Sequence, residues 1–240
     1  RWSAWAPAMS DAEKWQVWAR EETSLIAHEE IAQAKAMPPL LRRRATPLGR
    51  AALEVLSAPE LAYADQPIIF CSRHGEVSRS LTIQHALAEG GGASAQEFSM
   101  SVHNAIPGLF LIARQSRAPV TTVASENRLV LSGIIEALTQ LADGAPSVIL
   151  VFCDAPLPEL FQTFIDNESA CFAFAFEMTV GKDYRLVYNE TPSTGDASAL
   201  PPGSSLPLLR FVLDEARRAL PLTGEADWQL LRLAPESAHA

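Results

Sequence analysis

Cys71 and His74 stand three residues apart in Cys71-Ser72-Arg73-His74, and a thiol with an imidazole at that spacing suits either a metal site or an activated cysteine. A structural zinc site uses two such short-spaced pairs. His85 and His103 each stand alone, so no metal site is predicted. Cys153 precedes Asp154 at the end of an apolar run, but no helix clearly opens behind it to activate the thiol, and core packing is the preferred reading. A serine nucleophile would want Gly-x-Ser-x-Gly at a strand-to-helix turn, which the chain lacks. Gly90-Gly91-Gly92 is no phosphate loop, because the Lys-Ser/Thr that should follow is missing, and no cofactor is expected.

The elements that position these residues follow from pattern and punctuation. Ser10-Asp11-Ala12-Glu13 signals a helix start, with a second helical stretch running to about Ala36 and stopped by Pro38-Pro39. Leu40 to Leu56 reads as helix, with Arg42, Arg43, Arg44 and Arg50 on one side. Pro67 to Ser72 is a short, wholly apolar strand of the kind covered on both faces. Helix Val77–Ala88, a loose glycine loop, a helix within Ser101–Leu129, strand Val120–Val123, helix Leu129–Leu141 and strand Ser147–Cys153 follow. That alternation predicts right-handed crossovers on a largely parallel sheet. Beyond Asp154 the sequence predicts a short helix Pro156–Asp166, a hairpin of Ala170–Thr179 with Tyr184–Tyr188, and a polar loop over 191–205. Helix Leu206–Leu220 and strand Trp228–Leu233 close the chain.

Bulk properties narrow the function classes. The 240 residues, 48% apolar and 20% charged, describe a globular chain with an ordinary core. A net charge of −9 and a pI near 5.1 argue against nucleic acid or anionic membrane as a general partner. No apolar run approaches the ~20 residues that cross a bilayer, and the amino end is not a secretory signal. An arginine at position 1 implies residues upstream. Cys71, Cys153 and Cys171 are odd in number and widely spaced, which fits reduced, buried thiols in the cytoplasm better than a disulfide framework.

The stretch SVHNAIPGLFLIARQSRAPVTTVASENRL, Ser101 to Leu129, resembles the segment of β-ketoacyl synthases that leads into the nucleophilic cysteine. Asn104 and Gly108 match the family's Asn-x-x-x-Gly helix and Ala118-Pro119 its turn, so the cysteine position falls on Asn127, inside Ser125-Glu126-Asn127-Arg128; its carboxamide is neutral and not nucleophilic, and a plain use for it there is to hydrogen-bond the helix start as a cap does. Arg43-Arg44-Ala-Thr-Pro-Leu-Gly-Arg-Ala-Ala-Leu is similar to the early Arg-rich helix of that family, and Asp143-Gly144 through Val151 to the strand after the nucleophile helix. Ser72-Arg73-His74-Gly75-Glu76 and Phe98-Ser-Met-Ser-Val-His-Asn104 look like the small chain-length-factor-like proteins of aryl polyene clusters.

The resemblance implies an α/β, thiolase-like fold in a single domain: residues 1–154 like the amino-terminal half of a ketosynthase, and residues 155–240 a divergent closing segment. It implies no condensation by this chain alone. The thioester-forming cysteine is absent, and the family's two histidines belong to a carboxyl-terminal half; here the only histidine after Asn127 is His239. The implied role is a non-catalytic subunit paired with a full-length β-ketoacyl synthase, reaching acyl carrier protein through that heterodimer. A small acyltransferase or condensing enzyme with an unusual nucleophile is the rival reading, and a self-associating binding protein a third. The resemblance further implies that the strand Pro119, Val120, Thr121, Thr122 and Val123 meets the partner, and that Phe98, Met100, Leu109 or Phe110 bounds an acyl tunnel. At most one of Leu109 and Phe110, about 100° apart on a helix, should point at that interface. Arg42-Arg43-Arg44 either receives an acidic carrier protein or forms a solvated helix face; the latter is preferred.

Overall fold

Alternate residues of one sheet bury into two separate cores, and this divides the helices between its faces. A computed structural model describes every residue except 10, 22, 27, 165–169, 190–203, 223–227 and 235–240. The main sheet comprises β1 (Trp2–Trp5), β2 (Ile68–Cys71), β3 (Val120–Val123), β4 (Val148–Asp154) and β5 (Phe172–Met178), ordered β1-β5-β4-β2-β3. The helices are α1 (Ala12–Glu21), α2 (Pro39–Arg42), α3 (Pro47–Leu56), α4 (Val77–Ala88), α5 (Ala95–Met100), α6 (Ala105–Arg114), α7 (Leu129–Ala142) and α8 (Leu206–Leu213).

Ile69, Cys71, Leu150, Phe152, Phe172 and Phe174 face α1, α7 and α8, whereas Ile68, Phe70, Val151, Cys153 and Ala173 face α3 and α6. Period-two alternation explains why strands that read as unbroken apolar runs are fully buried. On the α7 side Phe152 and Phe172 each stack near Phe174, with ring centroids 5.2 and 6.1 Å away. Helix α7 crosses this face closely: a Cβ on Gly133 would sit 2.7 Å from Cys71 Sγ, so the absence of a side chain sets the approach.

The sheet is mixed, where a largely parallel one is expected. β2 runs parallel to β3 and β4, but β5 is antiparallel to both β4 and β1. Pro156 and Pro158 interrupt the predicted helix Pro156–Asp166, leaving a 3-10 turn at Glu159–Phe164, and β5 returns antiparallel to β4; Asp166 lies outside the described residues. The predicted hairpin is also absent. The apolar β5 is taken between β4 and β1, and the more polar β6 (Tyr184–Tyr188) joins a second sheet with β7 (Ala219–Pro221) and β8 (Trp228–Arg232), ordered β6-β8-β7.

Three helical expectations change as well. Described residues from Thr23 to Met37 are irregular rather than helical. Side chains hold their backbone instead: Ala8 N donates to Glu30, Glu30 N to His28 Nδ1, and Ala34 N to the Glu54 carboxylate. Leu40–Leu56 splits because Thr46 precedes Pro47, is held extended, and accepts from Gly49 N as the cap of α3. Helix α8 ends at Leu213, where Asp214 accepts from Ala216 N and turns the chain into β7. Ser10 lies outside the described residues, and Asp11 accepts from Lys14 N at the start of α1. The predicted loop over 191–205 is described only at Ser204 and Ser205, and His239 not at all. No described helix is long and apolar enough to cross a membrane.

Candidate functional site

The parallel strands β2, β3 and β4 all end at one rim of the sheet, where open α/β sheets form their crevices. There the chain places a charged network that its neighbours have almost closed to solvent. Asp154, the last residue of β4, accepts from Ser72 Oγ at 3.1 Å and from Arg73 N at 3.0 Å through Oδ1, while Arg73 Nε approaches Oδ2 at 3.4 Å. The side chains of Asp154 and Arg73 are 1% and 4% exposed. Burial pushes the Asp154 carboxyl above its ordinary range, and Arg73 and Ser72 pull back against that rise.

Ser72 Oγ in turn accepts from Gly75 N at 2.9 Å, shaping the turn that feeds α4. Gly75 has φ +52°, and a Cβ there would lie 2.8 Å from His103 Nε2, so the turn requires glycine twice over. Glu76 follows at the cap position of α4. It is buried, accepts from Thr46 Oγ1 at 2.7 Å, and lies 3.6 Å from Arg79 Nε; desolvation raises its carboxyl too.

Above this floor opens a cleft of about 550 Å³. Arg73, His74 and Asn127 contribute its polar wall, and Leu157, Phe161 and Phe164 an apolar one. Asn127 therefore stands in the cleft and does not cap α7: the cap position is Arg128, whose N–H is 3.3 Å from Ser125 Oγ. The cleft has no thiol. Cys71 and Cys153 are sealed in the two cores, and Cys171 is half-buried against the core on the α3 side. Burial raises all three thiols, Cys171 to about 12, so none supplies a thiolate at neutral pH. Among the described residues no three His, Cys, Asp or Glu side chains gather to hold a metal; Cys71, His74, His85 and His103 do not converge.

Next to the cleft lies β3, one of the two edge strands of the main sheet. Ile68 N donates to Pro119 O at 3.0 Å and Ser72 N to Val123 O at 3.2 Å. Parallel-ladder alternation then turns the backbone of Thr121 inward with these, and the N–H and C=O of Val120 and Thr122 outward. Val120 packs into the α6 core and Val123 into the α7 core, while Thr121 Oγ1 accepts from Gln140 Nε2 on α7 at 3.0 Å. The helices on the two faces of the sheet carry exposed apolar side chains, Ile112 of α6, 63% exposed, and Ile135 and Leu138 of α7.

Of the four tunnel candidates, Met100, Leu109 and Phe110 are buried in the chain's own core, Phe110 edge-on to Tyr63 with centroids 4.9 Å apart. Phe98 alone is exposed, at 63%. Sequence reading missed Asp154 as a buried carboxylate and Ile135 and Leu138 as surface residues. An acidic residue directly ending an apolar run was a usable signal for the first, and an apolar pair at i, i+3 outside the buried stripe of α7 for the second.

Comparison with known proteins gives the arrangement a context. The family described as "Beta-ketoacyl synthase, N-terminal domain" matches residues 15–229. Among solved structures, the chain is similar to one in the complex of the ketosynthase ApeO with its chain length factor ApeC from Xenorhabdus doucetiae. That match has 24% identity and a TM-score of 0.82, covering 97% of each chain. It is also similar to the ishigamide ketosynthase/chain length factor (11% identity, TM-score 0.54, 89% of this chain and 72% of that one). A β-ketoacyl synthase from Burkholderia phymatum matches at 12% identity and a TM-score of 0.51, over 88% and 67% of the two chains. No curated protein matches the sequence.

Proposed function

Because the chain belongs to the β-ketoacyl synthase family, we propose that it is a chain-length-factor-like subunit without chemistry of its own, paired with a full-length β-ketoacyl synthase in the cytoplasm. The observation that carries this reading is the pairing of two features. The edge strand β3 leaves two residues' backbone groups unpaired, and the cleft beside it holds Asn127 and no thiol. An acyl thioester needs a thiolate, whereas strand addition needs only such an edge. The name of the Xenorhabdus complex, a ketosynthase with its chain length factor, supports the same division of labour. The pathway is one that builds an aryl polyene on acyl carrier protein.

The test is acyl transfer from acyl carrier protein to the purified chain, followed by mass, beside co-purification with an untagged full-length synthase. A stable complex and no acylated chain are expected; an acylated chain with no complex would favour the small acyltransferase. Asn127→Ala should then leave product formation by the complex nearly intact and cost at most about 1 kcal/mol of stability, since Asn127 caps no helix. Lost product with an intact complex would give Asn127 an active role.

Phe98 is the remaining candidate for limiting acyl length, since its ring is free to project beyond the chain. A bulky side chain at a tunnel's end excludes longer occupants by contact. Phe98→Ala should lengthen the product, read by mass, without weakening the complex. Unchanged length would remove Phe98 from the tunnel.

A further inference from the structure

The second sheet has two edges, and the chain treats them differently. Leu233 N donates to Asp183 O at 2.8 Å, so Asp183, Arg185 and Val187 direct their backbone groups toward β8. Tyr184, Leu186 and Tyr188 direct theirs away from it. At the opposite edge Leu222 N donates to Trp228 O and Arg232 N to Arg218 O, both at 2.8 Å, so Ala219 and Pro221 are the residues of β7 that face outward. That edge is blunted: β7 is only three residues long, and Pro221 has no N–H to offer. β6 has five residues, no proline and, among the described residues, no strand on its outer side. Its side chains are held by the chain's own packing. Tyr184 lies 5.9 Å from the Phe211 ring and its hydroxyl accepts from Arg232 Nη1 at 3.0 Å, Leu186 packs against the core, and the rings of Tyr188 and Trp228 are 5.1 Å apart. Tyr188 is nonetheless 56% exposed.

We infer that β6 is a self-association edge, at which a second copy of this chain adds its own β6 antiparallel about a two-fold axis at Leu186. A two-fold axis sets a strand antiparallel to its own copy and makes every contact twice, so the sequence needs only to match itself. Centring on Leu186 lets all three outward residues exchange hydrogen bonds: Leu186 with Leu186 of the second copy, and Tyr184 with its Tyr188 on either side. The side chains agree with that register. Tyr184–Tyr188 pairs flank the two leucines on the core face, the kind of cross-strand neighbours that stabilise antiparallel strands. On the other face Arg185 stands opposite Val187 rather than a second cation. Because each edge is already fixed by its own core, pairing imposes little further order on it. β6 and β3 belong to different sheets, so pairing at one leaves the backbone groups of the other unused. A chain holding a synthase through β3 therefore brings two heterodimers together through β6.

The experiment reads mass by sedimentation velocity over a concentration series, for the chain alone and for its complex with a full-length synthase. The chain should pass from one copy to two as concentration rises, and the complex from one synthase and one chain to two of each. Leu186→Pro deletes no hydrogen bond within the chain, since that N–H faces outward, and should weaken the pairing about tenfold or more with the unfolding midpoint unchanged. Tyr188→Asp, at an exposed position, should weaken it about threefold or more. Thr122→Pro, on the other sheet, should change it less than about twofold. A chain that stays single at every concentration overturns the inference, as does pairing that neither β6 variant weakens or that Thr122→Pro abolishes. So does loss of synthase capture by Leu186→Pro, which would give the edge to the synthase instead. Pairing through β6 in a chain that captures no synthase keeps the inference and rejects the proposed function. Synthase capture with no doubling of the complex does the reverse.

Discussion

Proline at position 122 is expected to abolish or severely weaken capture of the synthase while leaving the chain itself folded. The basis is the direction of the β3 backbone. Pro119 and Val123 accept from β2, and Thr121 turns inward with them, so Thr122 directs its N–H away from the sheet. Thr122→Pro therefore deletes no hydrogen bond within the chain, and proline is tolerated on edge strands when its missing donor faces outward. In a complex built by strand addition the same change removes one inter-strand bond, about 1 kcal/mol. It also sets a ring into a seam of strands about 4.8 Å apart. Loss of affinity by tenfold or more follows if both effects act together. Thr121→Pro is the matched control: its N–H faces β2, so it should destabilise the chain as well as the complex. Undiminished co-purification of Thr122→Pro, with an unchanged unfolding midpoint for the isolated chain, would remove β3 as the association edge.

The strand β3 itself was readable in the sequence because the signals that bound it are local. The turn at Arg117-Ala118-Pro119, the β-branched run Val120–Val123 and the helix that follows lie within one short segment, and the structure keeps those boundaries. What escaped was non-local. β1 has only four residues, two of them tryptophan, and is a strand because Trp2 to Trp5 pair with Phe176 to Ala173 at the far end of the fold. Tyr184–Tyr188 reads correctly as a strand, yet its partner is β8 rather than β5, a choice made by burial and not by the connecting turn. The cleft divides in the same way. Asn127 was found through the resemblance of Ser101–Leu129 to the ketosynthase segment, which is continuous in sequence. The carboxylate beneath the cleft depends on β2 and β4 lying side by side, which brings Ser72 and Arg73 to Asp154 across 82 and 81 residues. The tunnel candidates show a third limit. Period and size make Met100, Leu109 and Phe110 bulky and helical, but not which way the helix faces, and α6 turns Leu109 and Phe110 into the core.

Asp154→Ala should cost about 3 kcal/mol of folding stability at neutral pH, because it strips the carboxylate from a guanidinium that is 4% exposed and leaves Ser72 Oγ and Arg73 N without their acceptor. Replacing both partners, as Arg73→Met with Asp154→Leu, should recover part of that loss, since the desolvation of both charges disappears together. Recovery stays partial because the Arg73 N–H still lacks an acceptor.

The pH dependence carries a definite sign. Burial, the largest influence on Asp154, raises its carboxyl above the ordinary value of 3.8, and Glu76 is raised above 4.5 for the same reason. From those ordinary values upward the folded chain holds protons that the unfolded chain has released. The contribution of these two groups is therefore fully present below the ordinary values and is lost as pH rises through the raised ones. Asp154→Asn keeps an acceptor for Ser72 and removes one titrating group, so its stability should fall less steeply than the wild type's across that acid window. Urea unfolding measured at intervals from acid to neutral pH reads both effects. A wild-type stability that instead climbs through the window would mean that Arg73 outweighs burial and holds Asp154 ionised. An Asp154→Ala variant within about 1 kcal/mol of wild type would mean that the network does not secure the rim at all.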